Sequence, residues 1–332
     1  MSWKGAVLLS VGVAVAASLA LSAQEAPCSP AAAGSRRTVV VNVLDKNGEQ
    51  VWGLTPADFR GEFRGQSVKI LSVAVDPPPH RVVILLDASP SMRNKKTWKL
   101  AKLAASDISR LSPSLFMPAL SVFSGDTVLE VPFEQGASGV QEGLASLPDE
   151  PQVLNKLPPG TALWDAVARA GGVLGKPSPG DSLYLITDGM DTSGFDGAPR
   201  PINAAEDGGA RIFVLLFPLS LDVPNYAPFL DSRHALRDLV QDTGGKSFTF
   251  DFDRQFKQNG ERRFLDSLRE QLYQPMAEFY LLQIELPQPL DKARGWKLEV
   301  VDPAGKKRKD LTVLYPQKLL PCPAAVPGKG NK

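Results

Sequence analysis

Three short segments carry oxygen-bearing side chains in a pattern that could hold a cation. Asp87-Ala88-Ser89-Pro90-Ser91 follows an apolar run, Arg81–Leu86. Gly160-Thr161-Ala162-Leu163-Trp164-Asp165 lies further along the chain. Thr187-Asp188-Gly189-Met190-Asp191 closes a second apolar run, Ser182–Thr187. If the two runs are neighbouring strands, Asp87, Ser89, Ser91, Thr161 and Asp188 converge on one sheet edge. They then offer two carboxylates and three hydroxyls. An all-oxygen set suits a hard divalent cation, Mg²⁺ foremost, with Mn²⁺ or Ca²⁺ as alternatives. Two carboxylates no more than neutralise such an ion, and hydroxyls add no charge. The ion stays electrophilic, and an open position would attract a carboxylate from outside. Taken alone, Asp87, Ser89 and Ser91 also fit a strand-end turn whose short polar side chains cap a helix. Asp165 and Asp191 are candidates for outer support of the ligands, with a solvated or helix-orienting acid as the alternative. Trp164 and Phe195 are candidates for an apolar rim, with core packing as the commoner use of such residues.

These segments need a scaffold that presents strand ends side by side. Arg81–Leu86 (RVVILL), Ser182–Thr187 (SLYLIT) and Ala210–Leu219 (ARIFVLLFPL) are nearly unbroken apolar runs, the pattern of strands buried on both faces. Between them the spacing predicts helices over Thr97–Leu111, Val140–Leu147, Thr161–Leu174, weakly over Ile202–Asp207, and over Ser232–Thr243. A last helix is predicted over Glu261–Tyr273, with Phe264, Leu265, Leu268 and Leu272 on one side. Leu115–Phe123 and Thr127–Phe133 read as strands joined by Ser124-Gly125-Asp126, and Lys246–Phe250 as a short strand. Alternating strands and helices predict an α/β fold with a doubly wound, mostly parallel sheet, whose ligand site lies at the strands' carboxyl ends.

The flanks are different. RRTVVVNV, ending at Val43, is β-rich and is followed by an Asp45-Lys46-Asn47-Gly48 hairpin signal. Ser67–Val75 is a further strand, and Asp76-Pro77-Pro78-Pro79 a stiff linker. After Glu278, Phe279–Leu286, Trp296–Val301 and Leu311–Tyr315 read as strands again. The expected organisation is residues 1–23 as a signal peptide and 35–76 as an N-terminal β segment. The α/β domain then spans 80–274, a C-terminal β segment spans 278–318, and a tail spans 319–332. The two β segments are expected to pack together as a small β-sandwich-like unit with the α/β domain inserted between them.

With these pieces in order, the stretch from about Arg81 to Tyr273 resembles the von Willebrand factor A family. The D-x-S-x-S…T…D set is that family's metal-ion-dependent adhesion site, and LITDGMD, GTALWDAV and DTGGKSF are similar to its phrases. DKNGEQVWGLTPADF and FYLLQIELP, in the arms, resemble a bacterial secreted "VWFA-related" subfamily. The resemblance implies a Rossmann-like A domain and a metal held directly by Ser89 and Ser91. Thr161, Asp87 and Asp188 would bind it directly or through water. It also implies that ligation can shift the domain's last helix, Glu261–Tyr273 here, which leads into the C-terminal β segment.

Composition sets further bounds. The 332 residues are 43% apolar and 22% charged, which suits a globular chain and excludes wholesale disorder. Lys and Arg number 37 against 36 Asp and Glu, so nothing suggests nucleic-acid binding. Two His and two Cys nearly exclude zinc sites and iron–sulfur clusters. Residues 1–23 carry one charge, Lys4, then an apolar stretch and small residues, the order of an export signal; an uncleaved anchor is the alternative. A secreted or periplasmic location follows, with membrane contact only if that segment stays attached. Export would permit a disulfide between Cys28 and Cys322, closing nearly the whole chain, with two unpaired thiols as the alternative. Gly244-Gly245-Lys246-Ser247 lacks the first glycine of a phosphate-binding loop. Neither His80 nor His234 neighbours a serine on a nucleophile elbow.

The function expected is therefore non-enzymatic: a module that ligates an Asp or Glu of a protein partner through its cation. No nucleic acid and no small-molecule substrate are expected. Two other readings stand beside it. One is an envelope component whose metal orders loops. The other is a phosphatase with Asp87 as aspartyl nucleophile, which Ser89 disfavours because such enzymes commonly place a second Asp there.

Overall fold

The computed structural model describes residues 28–29, 36–176, 178–193, 210–218, 227–249 and 260–321. The export-signal residues 1–23, the weak helix at Ile202–Asp207, Phe195 and Cys322 lie outside them.

The N-terminal flank supplies β1 (Cys28–Ser29), β2 (Arg36–Leu44), β3 (Phe59–Phe63) and β4 (Gln66–Val75). The α/β domain follows with β5 (His80–Asp87), α1 (Lys95–Arg110), β6 (Phe116–Phe123), β7 (Thr127–Val131) and α2 (Gly136–Ser146). It continues with α3 (Leu163–Leu174), β8 (Ser182–Thr187), β9 (Arg211–Leu216), α4 (Ala227–Asp242), β10 (Ser247–Thr249) and α5 (Gly260–Leu268). The C-terminal flank contributes β11 (Tyr280–Glu285), β12 (Arg294–Gly295), β13 (Lys297–Val300), β14 (Thr312–Leu314) and β15 (Lys318–Leu319).

The central sheet runs β10-β9-β8-β5-β6-β7, parallel throughout except for β7 at one edge. Val82 to Leu86 of β5 are wholly buried because both faces are covered. Trp98, Ala101 and Ala104 of α1, Val140 of α2 and Phe264 of α5 pack on one face. Leu163 and Val167 of α3 and Leu236 and Val240 of α4 pack on the other. Each fully buried Leu, Ile or Val contributes ~1.5–3 kcal/mol, so this double layer fixes the strand ends firmly. The chain leaves β5 toward β6 on one side and later reaches β8 on the other. The direction of winding thus reverses beside β5, and a crevice opens at its carboxyl end.

The last helix departs from expectation. The α-helical turns of α5 end at Leu268, Arg269–Tyr273 form a π turn, and Gln274–Ala277 resume the α-helix. The π turn brings two anchors to one side of the helix. Arg269 pairs with buried Asp107 at 2.7 Å, and the Tyr273 hydroxyl donates to the Ala104 carbonyl at 3.1 Å.

The flanks form a second sheet, β1-β2-β11-β4-β3-β13, with β14 on β2. Every pair is antiparallel, and β11, β13 and β14 of the C-terminal flank each pair with strands of the N-terminal flank. The sheet curls until β13 lies within 8 Å of β14, around a core containing Val41, Phe63, Leu282, Trp296 and Leu298. Cys28 opens β1 opposite Arg37. A polar knot joins the two units. Asn42 on β2 donates to the Pro275 and Glu278 carbonyls at 3.1 and 2.5 Å and accepts from the guanidinium of buried Arg211 on β9 at 2.8 Å.

Candidate metal centre

Asp87 is the last residue of β5 and is fully buried. Its neighbour in the sheet, β8, ends at Thr187, and Asp188 follows it, 2% exposed. The two carboxylates thus sit side by side because two buried parallel strands end in register, Leu86 opposite Ile186. Thr187 ties them: its hydroxyl donates to Asp87 Oδ2 at 2.6 Å and accepts from the Gly189 amide at 2.9 Å. The Ser89 amide donates to Asp87 Oδ1 at 2.8 Å, which closes the turn after β5. The Met190 amide returns to Asp188 Oδ1 at 3.1 Å. That return needs Gly189 at φ +77, where a Cβ would stand 3.0 Å from Arg233 Cγ and 3.1 Å from Leu216 Cδ1.

The hydroxyls come from two loops. Ser89 is buried, Ser91 is half-buried, and their Oγ atoms are 3.2 Å apart. The Ser91 hydroxyl also bonds Asp188. Thr161 is 2% exposed and precedes α3. Its loop is stitched to the Asp188 loop: the Thr161 amide donates to Thr192 Oγ1 at 2.7 Å, and the Thr161 carbonyl accepts from the Thr192 amide at 2.9 Å. Among the described residues the Thr161 hydroxyl makes no hydrogen bond.

The two carboxyls are buried side by side, and the guanidinium groups of Arg93 and Arg233 act on them only from a distance. Burial, and the Asp188 charge beside it, push the Asp87 carboxyl up to about 7. Burial also raises Asp188, opposed in part by the Ser91 hydroxyl, the Met190 amide and the more distant Arg233. Among the described residues neither carboxylate takes part in an ion pair. A divalent cation would supply the missing positive charge. The donor types fit one: two carboxylates and three hydroxyls, of which that of Thr161 makes no hydrogen bond among the described residues. Among the described residues no group of three or more His, Cys, Asp and Glu stands together; the candidate donors are all oxygens, the type a hard cation prefers.

Asp191 and Asp165 separate. Asp191 accepts from the Leu163 amide at 2.9 Å and from the Ser193 hydroxyl at 3.1 Å. It caps the start of α3 from another loop and so holds the Thr161 and Asp188 loops together. Asp165 is exposed in the first turn of α3, where a negative charge suits the helix dipole. Trp164 does not form a rim; it is 4% exposed and belongs to the core under α3 and α4. Sequence reasoning passed over Thr187 and Arg93. Thr187 had a signal, a hydroxyl closing an otherwise apolar strand. Arg93 had none, since its partners come from distant segments.

No family profile and no curated protein matches the chain. Among solved structures it is similar to an aerotolerance-related membrane protein from Bacteroides fragilis NCTC 9343, at 17% identity and TM-score 0.42, over 58% of this chain and 98% of that one. It is also similar to VWA2, the ArnB paralog from Sulfolobus acidocaldarius, at 16% identity and TM-score 0.39, over 86% and 76%. The human COPII-coat protein Sec24c is similar at 11% identity and TM-score 0.42, over 74% and 44%. These are likenesses of chain course and carry no functional argument. The doubly wound sheet, with the D-x-S-x-S turn and Asp188 at adjoining strand ends, gives the central unit a von Willebrand factor A-like fold.

Proposed function

We propose that this chain is an exported, non-enzymatic binding module that uses a divalent cation, Mg²⁺ in the simplest case, to capture an Asp or Glu side chain of a protein partner. The observation that carries this reading is the pair of buried carboxylates, Asp87 and Asp188, in hydrogen-bonding contact with the side chains of Ser89 and Ser91 and, among the described residues, in no ion pair. Asp87 and Asp188 would balance the charge of the cation, and the three hydroxyls would fill its coordination without lowering that charge. The cation's role is Lewis acidity toward an incoming carboxylate. Ser89, two residues after Asp87, has its amide on the Asp87 carboxylate and its hydroxyl beside Ser91. The export-signal pattern of residues 1–23 supports a location outside the cytoplasm.

The test is selection of a random peptide library on the purified protein in Mg²⁺. The selected peptides should share an Asp or Glu, and their binding should vanish in EDTA and on Asp188→Asn. Peptides that bind equally in EDTA, or that share no acid, would contradict the reading. A cation that binds and stabilises the fold while no peptide is selected would favour the loop-ordering role.

A further inference from the structure

We propose that Arg93 is a positioning residue, a clasp whose guanidinium sets the spacing between the Asp87–Ser91 turn and the Thr161 loop so that both can meet one cation. The proposal rests on the metal reading above and adds a residue that touches no ligand.

Arg93 lies two residues after Ser91 and is only 7% exposed. Its Nε donates to the Ala88 carbonyl at 2.9 Å, between Asp87 and Ser89. Its Nη2 donates to Ser124 Oγ at 3.1 Å and to the Pro158 carbonyl at 3.0 Å. Ser124 follows β6, and its hydroxyl reaches the Pro158 and Gly160 carbonyls at 2.7 and 3.2 Å. The Ala162 amide donates to the Ser124 carbonyl at 2.7 Å, which brackets Thr161 from its other side. Gly125 completes the fit, since a Cβ there would overlap the Pro159 carbonyl oxygen. Among the described residues no main-chain hydrogen bond joins the Asp87–Ser91 turn directly to the Thr161 loop. One connection runs through Arg93 and the end of β6; the other runs through the Asp188 loop, which Thr187 and Ser91 join to the turn and Thr192 joins to Thr161.

The chemistry of the choice is informative. Arg93 feels the Asp87 charge, yet among the described residues its hydrogen bonds go to neutral oxygens. A side chain present to neutralise Asp87 would turn to it and occupy the cation's place. Arg93 leaves the carboxylate available and spends its planar fork on three acceptors from three segments. A lysine ammonium is a point donor on a flexible stem and cannot span them. The clasp therefore works by geometry, not charge.

The test is a double-mutant cycle read by Mn²⁺ affinity, using the electron paramagnetic resonance signal of the free ion. Thermal unfolding in EDTA is followed in parallel. Arg93→Lys keeps the charge and should weaken Mn²⁺ binding roughly 10–100-fold, the range for outer-shell partners of metal ligands. Thr161→Ala should weaken binding in the wild-type background. Added to Arg93→Lys it should cost little more, within about twofold, because the Thr161 hydroxyl is no longer delivered to the ion. If Arg93→Lys does not fold, Ser124→Ala enters the same cycle with the same expectation. Unchanged affinity in Arg93→Lys, or two losses that multiply in full, would overturn the clasp and leave the metal site standing. A wild-type protein that takes up no Mn²⁺ would overturn the metal reading itself, and the wild-type titration alone reveals that case.

Discussion

Asp87→Asn should make the metal-free protein more stable at pH 8, not less. The reasoning starts from burial. The Asp87 carboxyl is held at about 7 in the folded chain against an ordinary value of 3.8, so folding favours its protonated form. Between those two values the folded state holds a proton that the unfolded state has lost. Stability from this group is therefore full below about pH 4 and falls as pH rises through 7. A shift of some three pH units at 1.36 kcal/mol each gives about 4 kcal/mol as a ceiling at pH 8. Asparagine has the same shape, carries no charge and can still accept from the Ser89 amide, but its NH2 replaces the oxygen that accepts from the Thr187 hydroxyl, so the net gain falls below the ceiling. It removes that penalty and also relieves Asp188. For a domain of this size the gain in Tm is roughly 8–16 °C at most. The assay is thermal unfolding in EDTA of wild type and Asp87→Asn at pH 5 and pH 8. The gap between the two proteins should be about a third as wide at pH 5 as at pH 8, and Mg²⁺ should raise the Tm of wild type alone. A variant no more stable than wild type at pH 8 would refute the claim that burial disfavours the Asp87 charge.

Three other outcomes follow from the same geometry. Thr161→Ala should leave the Tm in EDTA nearly unchanged, because the hydroxyl makes no bond among the described residues, while Mn²⁺ affinity measured by titration falls at least ~10-fold. Gly125→Ala should cost ~1–3 kcal/mol in urea unfolding, since the new methyl meets the Pro159 carbonyl and forces the loops apart. Asn42→Ala should cost ~3 kcal/mol, because it strands buried Arg211 and the Pro275 and Glu278 carbonyls. Its Mn²⁺ affinity should match wild type, since the knot lies at the junction with the β unit and not at the strand ends that carry the site.

Much of the central unit was legible because burial writes itself into composition. VVILL in β5 and LYLI in β8 are apolar at every position, and both faces of those strands are covered. Asp87 and Asp188 stood out as charges at the ends of such runs. The arms were legible as strands but not in their pairing. β2 lies beside β11, more than 200 residues away, and nothing local in either segment specifies that partner. The antiparallel edge strand β7 was legible, since only three residues join it to β6, whereas the π turn at Arg269–Tyr273 is decided by tertiary contacts. The same holds for Trp164. An aromatic beside a candidate ligand can be rim or, more commonly, core, and the packing of α3 decides for core. Arg93 is the clearest case, a charged residue after a turn whose three acceptors lie 5, 31 and 65 positions away.

The central claim is that Asp87, Ser89, Ser91, Thr161 and Asp188 form one divalent-cation site. Its most direct test is titration of the full chain with Mn²⁺, beside Asp188→Asn, with Tm followed at each step. The account predicts one ion per wild-type chain, a stabilisation of ~2.7 kcal/mol at 100-fold over the dissociation constant, and the loss of both in the variant. Wild-type protein that binds no Mn²⁺ and does not stabilise, or a variant that binds as tightly, would contradict it.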